Sequence, residues 1–467
     1  MKKPISICLL AVSLLFVSCF EDADDNLQPA STLDIQNFIY RGLNYYYLYK
    51  ADTAELANDA FASEAEKEDF LKTFDTPEAL FNYLKSPQDR FSNLYSDYTV
   101  LQNTINGITL NNGMEFGLVY YPDGSNNIFG YVRYVLPNTD AENNGLQRGD
   151  LFTAVDGQQL TESNYNDLLA PDSYSIGLAT YDGTDFTSTG ETVNLNKTEY
   201  NENPVYKTET LTINGQKIGY LMYNAFTKSY DTELNNAFAQ FKADGVTDLV
   251  IDLRYNGGGA VETATDLATM ITGQFNGQVF YKEFWNEDRQ EDNAEDGLFD
   301  SSIGNGTTTN TLNLSEVYIL TTRRTASASE LVINGLNPYI NTVQVGDTTT
   351  GKFQASFILY DAPAPDFSFS QANPNHTYAM LPLVFKTANV AGNTDYTEGL
   401  FPQIAMKEDY FNLGQLGDPN EPFLAAALNE ILPVPKPMRK PFKHLKEISG
   451  SKANSPLNGV MIKETGD

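Results

Sequence analysis

The sequence predicts a multidomain α+β protein with a helical N-terminal segment, a β-rich middle and an α/β region that carries the chemistry. A helix start at Thr76-Pro77 indicates helices near the N-terminus. The turn Asp156-Gly157 indicates a hairpin in the middle of the chain. Apolar runs at 317–320 and 342–345 flank an apolar helical pattern at 326–336, which predicts a strand–helix–strand unit with parallel strands. A chain of 467 residues is long enough for two to three domains.

The N-terminus has the pattern of an export signal. Lys2 and Lys3 precede an apolar run at 5–17, and we predict a signal peptide over residues 1–18. Phe16-Val17-Ser18-Cys19 resembles the lipobox of bacterial lipoproteins, although Phe16 is not the usual aliphatic residue there. We therefore expect a lipid on Cys19 that anchors an exported protein to the outer membrane, on its periplasmic face or at the cell surface; ordinary signal peptidase cleavage is the alternative. Residues 19–32 form an acidic linker.

Two segments separate this linker from the α/β region. Residues 33–106 are predicted to be mostly helical and end after Asp89-Arg90-Phe91-Ser92. Residues 107–202 look like a PDZ domain, chiefly from the stretch 145–156. Within it, Glu115-Phe116-Gly117-Leu118 resembles the loop whose backbone N–H groups hold the C-terminal carboxylate of a peptide. A PDZ domain binds an extended peptide by adding it to the edge of a sheet.

Residues 203–432 form the α/β region, in which Ser327 and Lys352 stand out. Ser327 lies at the start of the predicted helix, and Lys352 follows 25 positions later, just beyond the next strand. Both therefore fall near one rim of the sheet, where α/β proteins place their chemistry. A serine needs a base to become a nucleophile, and a lysine serves as that base when burial lowers its pKa. The structural alternative is that Ser327 only caps the helix, because Ser327-x-x-Glu330 has the form of a capping box.

These residues resemble a known family. Thr325-Ala326-Ser327-Ala328-Ser329-Glu330 together with Gly351-Lys352 is similar to the serine/lysine site of the S41 peptidases, the carboxyl-terminal processing proteases. Asp252-Leu253-Arg254-Tyr255-Asn256-Gly257-Gly258-Gly259 resembles the glycine turn of the same family. The resemblance implies a ClpP/crotonase-like catalytic domain, Ser327 as nucleophile and Lys352 as base. It also implies an oxyanion hole formed by Ala328, Gly257 and Gly258, with no metal or cofactor.

One position departs from the family pattern. Many members carry a glutamine four residues after the lysine, which orients the lysine amine. Here that position is Ser356, and Gln354 lies two residues after Lys352. Either side chain is a candidate for orienting the amine, so the third member of the site stays open.

The chain ends in a segment of different character. Residues 433–467 contain seven Lys or Arg against three acidic residues, a net charge of +4 by subtraction, and four prolines by position 441. We expect a basic, extended and solvated tail. Folding back onto the acidic body is the alternative.

Composition excludes several function classes. The net charge of −31 argues against binding to nucleic acid. Two histidines and the absence of a Gly-x-Ser-x-Gly elbow disfavour a Ser-His-Asp hydrolase. The resemblance implies a serine endopeptidase that hydrolyses exported or extracellular proteins presented by the PDZ domain. A catalytically silent, surface-anchored peptide-binding lipoprotein is the alternative, and the oligomeric state stays open.

Overall fold

The computed structural model describes residues 28–432, 444–453 and 455–464. The predicted signal peptide, Cys19 and residues 433–443 of the predicted tail lie outside the described residues. Within the described part of the chain, no helix combines the length and the apolar character that crossing a membrane requires.

The N-terminal helices share a core with the α/β region. Ser31 begins the first helix in a capping box, in which its Oγ accepts from the Asp34 N–H at 3.2 Å and the Asp34 carboxylate accepts from the Ser31 N–H at 2.9 Å. Phe38 and Leu43 pack in one cluster with Leu267 and Val332. The helical segment is therefore built onto the α/β region. The elements are α1 (Thr32–Tyr46), α2 (Glu64–Leu71), α3 (Pro77–Leu84), β1 (Asn93–Tyr95) and α4 (Tyr98–Ile105).

Residues 108–201, which we name the β-rich unit, have a core of their own around Val132 and Phe152. The strands of its main sheet run in the order β3-β4-β5-β7-β8, with β6 paired to β5, and all of these pairs are antiparallel. Asp156 and Gly157 form the β5–β6 hairpin turn with φ of 47° and 72°, the left-handed values that a primed turn needs. The elements are β2 (Ile108–Asn111), β3 (Met114–Tyr120), β4 (Ile128–Val135), α5 (Asp140–Asn143), β5 (Leu151–Val155), β6 (Gln158–Gln159), α6 (Tyr165–Leu169), β7 (Ser173–Tyr181), β8 (Phe186–Asn196) and β9 (Thr198–Asn201).

The α/β region is built on a six-stranded sheet. Its elements are β10 (Val205–Ile213), β11 (Gln216–Tyr223), α7 (Asp231–Asp244), β12 (Asp248–Asp252), β13 (Gly259–Ala260), α8 (Val261–Thr272), β14 (Val279–Trp285), α9 (Gln290–Asn293), β15 (Gly297–Leu298), β16 (Glu316–Thr321), α10 (Ala328–Leu336), β17 (Asn341–Gly346), β18 (Gln354–Ser356), β19 (Leu359–Tyr360), β20 (Ala379–Leu381), β21 (Leu383–Ala388), β22 (Ile404–Ala405) and α11 (Pro422–Ile431). The strand order is β10-β11-β12-β16-β17-β22, and every pair except β10–β11 is parallel. The predicted strand–helix–strand unit is confirmed as β16, α10 and β17.

The described part of the C-terminal segment folds back onto the body. It forms β23 (Glu447–Gly450), which pairs with β3 of the β-rich unit, and β24 (Met461–Ile462), which lies between β13 and β18 in a second sheet. The expectation of a solvated tail is wrong for these residues. The edges of β3 and β18 offer backbone hydrogen bonds, and the side chain of Met461 is buried in the main core.

Candidate active site

Three neighbouring parallel strands end at one rim of the main sheet. The glycine turn 257–259 follows β12, Ser327 follows β16, and Lys352 follows β17. A methyl group added at Gly258 would lie 2.6 Å from Ser327 Cβ and 3.1 Å from its Oγ. The glycine turn and the serine are therefore in direct contact, as their places after neighbouring strands predict.

Ser327 has a strained backbone and a free hydroxyl. Its φ of 66° and ψ of −117° are unusual for a residue with a side chain. Ser327 is the N-cap of α10, and the Glu330 carboxylate accepts its N–H at 2.7 Å. The Oγ is fully buried and has no hydrogen-bond partner among the described residues. Only the Glu330 half of the predicted capping box is therefore made, and the hydroxyl stays available for other chemistry.

Lys352 is buried without a counter-charge in hydrogen-bonding contact. Its side chain is fully buried, and its Nζ has no hydrogen-bond partner among the described residues. Burial lowers the pKa of Lys352 to about 7, although the charges of Asp89 and Glu330 act in the opposite direction. A substantial neutral fraction at neutral pH is what a lysine needs to act as a base.

The carboxylate of Glu330 joins the serine loop to the lysine loop. Its Oε2 accepts from the N–H groups of Ser327 and Lys352, at 2.7 and 2.9 Å. Its Oε1 accepts from the Gly351 N–H at 2.7 Å and from the Thr349 hydroxyl at 2.5 Å. Burial raises the pKa of Glu330, and these donors oppose that effect. Four donors on two oxygens fit an ionised carboxylate, because a protonated one would itself donate. Sequence reasoning found Glu330 only as a capping residue.

The N-terminal segment supplies two groups near Lys352 that sequence reasoning missed. The Asp89 carboxylate accepts from the N–H groups of Phe91 and Ser92, at 2.8 and 2.9 Å, and from the Tyr47 hydroxyl at 2.7 Å. This turn places the Phe91 ring with its centroid 5.1 Å from Lys352 Nζ. The sequence signal for these two groups is Asp89-Arg90-Phe91-Ser92, which sequence reasoning interprets only as the end of the helical segment.

The glycine turn is fixed by a fully buried arginine. The Arg254 guanidinium donates to Asp252 at 2.8 Å and to both carboxylate oxygens of Glu421, at 2.7 and 3.0 Å. The turn is also bonded to the serine loop, since the Thr325 hydroxyl donates to the Leu253 carbonyl at 2.9 Å. The bidentate pair with Glu421 holds the orientation of the turn as well as its position.

The structure separates the three oxyanion-hole candidates. The Gly258 N–H donates to Asn256 Oδ1 at 2.9 Å and is therefore occupied. The N–H groups of Gly257 and Ala328 donate no hydrogen bond to any other described residue. Ala328 is the first residue of α10, where the N–H has no intrahelical partner. Gly258 matters here because it has no side chain to collide with Ser327.

Neither candidate for orienting Lys352 is bonded to it. Gln354 Nε2 donates to the Tyr49 hydroxyl at 2.8 Å, while Gln354 Oε1 and Ser356 Oγ have no hydrogen-bond partner among the described residues. Nor do the described residues gather three or more His, Cys, Asp or Glu side chains into a group that could hold a metal ion. What surrounds the amine is the Phe91 ring and the more distant charges of Asp89 and Glu330.

The expected carboxylate-binding loop is a strand in the structure. Glu115, Phe116, Gly117 and Leu118 all lie within β3, which pairs with β4 on one side and with β23 on the other. Pairing on both sides keeps this segment extended. Its Phe116 N–H donates at 3.1 Å to the hydroxyl of Ser451, in the C-terminal segment.

Comparison with known proteins matches two segments of the chain to family models. Residues 217–361 match the family described as "Peptidase family S41", and residues 34–93 match "Peptidase S41 N-terminal domain". A carboxyl-terminal-processing protease of Picosynechococcus is 28% identical over 232 residues, which cover 48% of this chain and 52% of the relative. A chloroplastic C-terminal processing peptidase of Tetradesmus obliquus is 24% identical over 293 residues, covering 60% of this chain and 59% of the relative. The chain thus spans about half the length of the curated relatives that it matches.

A solved structure extends the likeness to most of the fold. The crystal structure of a candidate S41 protease from Bacteroides fragilis is 26% identical in sequence and has a TM-score of 0.68. The match covers 84% of this chain and 96% of that one. The mixed α/β multidomain architecture described above therefore resembles that of S41 proteases.

Proposed function

Because this chain belongs to peptidase family S41, we propose that it is a serine endopeptidase in which Lys352 activates Ser327. The observation that carries the proposal is a pair of fully buried groups without hydrogen-bond partners in the described part of the chain: a serine hydroxyl on a strained turn and a lysine amine with a pKa of about 7. The Glu330 carboxylate holds the backbones of both residues. Such a serine and base are the requirements of nucleophilic catalysis.

The reaction follows from these roles. Neutral Lys352 takes the proton of the Ser327 hydroxyl as Oγ attacks the carbonyl carbon of the scissile bond. The N–H groups of Gly257 and Ala328 stabilise the oxyanion that forms. Protonated Lys352 then gives its proton to the leaving amine, and an acyl-enzyme remains on Ser327. Lys352 next takes a proton from water as its oxygen attacks the ester, and returns that proton to Ser327 Oγ as the acid is released.

Substrates enter as extended peptides in this proposal. The β-rich unit resembles a PDZ domain in sequence, and the edge of β3 in the structure is already paired with an extended segment. The export signal and Cys19 suggest that the substrates are exported or extracellular proteins and that a lipid anchors the enzyme to a membrane. This placement rests on the sequence alone.

The alternative of a silent peptide-binding protein is less well supported. A strained serine and an unpaired buried lysine both cost stability. A protein that only binds peptides has no use for either feature. Their joint presence at one rim of the sheet therefore favours the enzyme.

The test is hydrolysis of a peptide library by the soluble chain from residue 20 onwards. We expect Ser327→Ala and Lys352→Met to abolish cleavage, while Ser370→Ala, at an exposed serine, leaves it unchanged. If Ser327→Ala still cleaves peptides, Ser327 is not the nucleophile. If the chain with Ser327 and Lys352 intact cleaves no peptide of the library, the silent alternative stands.

A further inference from the structure

The C-terminal segment (residues 444–453 and 455–464) follows one path from the β-rich unit to the catalytic rim. At its start, β23 adds to the edge of β3 in antiparallel register, with Ser449 opposite Leu118 and Gly450 opposite Gly117. The Ser451 hydroxyl then accepts from the Phe116 N–H and donates to the Glu115 carboxylate. This is the way in which an extended peptide ligand binds to a sheet edge.

Two charged residues anchor the segment on this unit. Glu447 accepts from the guanidinium of Arg133 at 2.5 Å and from the Tyr131 hydroxyl at 2.9 Å, and it also pairs with Arg324. Arg133 is buried, so its charge would be costly without this partner. Farther along, Lys452 Nζ donates to both oxygens of Glu202, each at 2.9 Å. Arg324 lies three positions before Ser327, and Glu447 therefore joins the β-rich unit to the catalytic loop.

The far end of the segment lies against the glycine turn. The Val460 carbonyl accepts from the Gly259 N–H at 2.8 Å, and β24 continues beside β13 and β18. A methyl group added at Gly258 would lie 2.5 Å from the Val460 oxygen and 2.6 Å from Ser327 Cβ. The segment and the nucleophile are thus close neighbours across Gly258.

The segment is held in a register that does not suit cleavage. The Val460 carbonyl is bonded to the Gly259 N–H, whereas the Gly257 and Ala328 N–H groups proposed to form the oxyanion hole have no described partner. At the other end, the acidic side chain of Glu115 would repel a free terminal carboxylate, whereas the Ser451 hydroxyl can donate to it. The binding chemistry thus fits an internal segment with a carboxylate side chain at the position of Glu447.

We propose that the edge of β3 and the catalytic cleft form one peptide-binding track, that the chain's own C-terminal segment is its resident ligand, and that a protein substrate binds by displacing this segment. The proposal rests on the peptidase function proposed above. It names the chemistry of the partner: an extended internal segment that presents an acidic side chain to Arg133 and Arg324.

The experiment reverses the charge of the anchor in the soluble chain from residue 20 onwards. Glu447→Arg places a cation against Arg133 and Arg324 and should release the segment, while Ala453→Lys adds a charge at an exposed position of the same segment as a control. Hydrogen exchange of the Gly259 amide, which is bonded to Val460, reports the release without any need for activity. We expect Glu447→Arg to raise this exchange rate and kcat/KM for an unrelated peptide by roughly tenfold or more, and Ala453→Lys to change neither.

A second arm tests the segment as a ligand. A synthetic peptide of residues 444–464 added to the Glu447→Arg variant, whose own segment is released, should raise KM for the reporter peptide and leave kcat unchanged. The inference is overturned if the Gly259 amide exchanges equally slowly in wild type and Glu447→Arg, or if an active chain gains nothing from Glu447→Arg. Faster exchange without hydrolysis in any variant would instead refute the peptidase function and leave the displaceable segment in place.

Discussion

Two lysines, one in the catalytic cleft and one on the edge of the β-rich unit, show how a partner decides what a lysine does. Each amine lies over an aromatic ring, Lys352 Nζ at 5.1 Å from the centroid of Phe91 and Lys452 Nζ at 5.9 Å from that of Tyr134. Lys452 also donates to both oxygens of Glu202, whose charge holds its pKa well above the usual value despite desolvation. Lys352 has no such bond, and burial lowers its pKa to about 7. Lys452 is therefore an anchor and Lys352 a candidate base, because only Lys352 lacks a bonded carboxylate.

Replacing each lysine by methionine should give the largest contrast. We expect Lys352→Met to lower kcat by about 10³-fold or more, because the Glu330 carboxylate, the other basic group beside Ser327, is already occupied by four donors. Its melting temperature near pH 8 should equal or exceed that of wild type. Because the pKa of Lys352 is about 7 in the folded state and 10.5 in the unfolded chain, its destabilising effect is complete below pH 7 and is lost as the pH rises through 10.5, so most of it is present near pH 8.

Lys452→Met should instead lower the melting temperature, because it leaves the Glu202 carboxylate unpaired. Thermal unfolding and single-turnover kinetics on both variants check these outcomes. A Lys352→Met enzyme that keeps its kcat, or loses more stability than Lys452→Met, would contradict the roles assigned to the two lysines.

Two glycines allow the catalytic cleft and the β-rich unit to be compared by the same substitution. Gly258 in the cleft and Gly183 in the β-rich unit have φ of 112° and 102°, so alanine is strained at both. A methyl group at Gly183 would meet nothing within 4 Å, whereas at Gly258 it would meet Ser327 and Val460. We expect Gly258→Ala to lower kcat by about 10²-fold through displacement of the nucleophile. Gly183→Ala should cost about 1 kcal/mol of stability and leave kcat unchanged. Equal losses of activity would show that backbone strain, not contact, is responsible.

A pair of glutamates gives the next test. Glu330→Gln replaces one acceptor oxygen by an N–H₂ group, so two of the four donors around the carboxylate lose their acceptor. We expect kcat to fall about tenfold with little change in KM, since the loops that carry Ser327 and Lys352 lose their common tie. The charge of Glu330 raises the pKa of Lys352. Its removal should therefore also move the acid limb of the pH profile, the range in which kcat/KM rises as Lys352 loses its proton, to lower pH. Glu202→Gln should lower stability and leave the acid limb in place. If the acid limb of the pH profile does not move in Glu330→Gln, the charge of Glu330 does not influence the pKa of Lys352.

The two regions also differ in what their sequence revealed. Apolar runs and spacing placed Ser327 and Lys352 at one rim, because the strand–helix–strand unit is a local structure, whereas the glycine turn was assigned to the site only by its resemblance to a family motif. Phe91 escaped detection, since it reaches Lys352 from more than 250 positions away. On the β-rich unit the sequence predicted a carboxylate loop at 115–118 and a solvated tail. The segment 115–118 is a strand and not a loop, and the described tail is not solvated, for one physical reason: pairing between β3 and β23 is a contact over more than 300 positions, which composition does not encode. Carboxylate binding by residues 115–118 stays a prediction.

The smallest expected effect comes from the charge of Asp89, which acts on the candidate base Lys352 without a hydrogen bond to it. If neutral Lys352 is the active form, kcat/KM should rise with pH through about 7 and level off above it. The charge of Asp89 raises the pKa of Lys352, so Asp89→Asn should move this limb to lower pH and raise the rate at pH 6 relative to that at pH 8. Asparagine keeps an acceptor for the N–H groups of Phe91 and Ser92, so the turn should stay in place.

Asp97→Asn, at the exposed cap of α4, supplies the matched control and should leave the limb where it is. A shift to higher pH in Asp89→Asn would mean that the limb reports a group other than Lys352. The same shift in both variants would mean that net charge, and not the position of Asp89 beside the cleft, sets the profile. A limb that moves to lower pH only in Asp89→Asn would tie the N-terminal segment to the chemistry, because that segment alone contributes Asp89 and the Phe91 ring next to the amine.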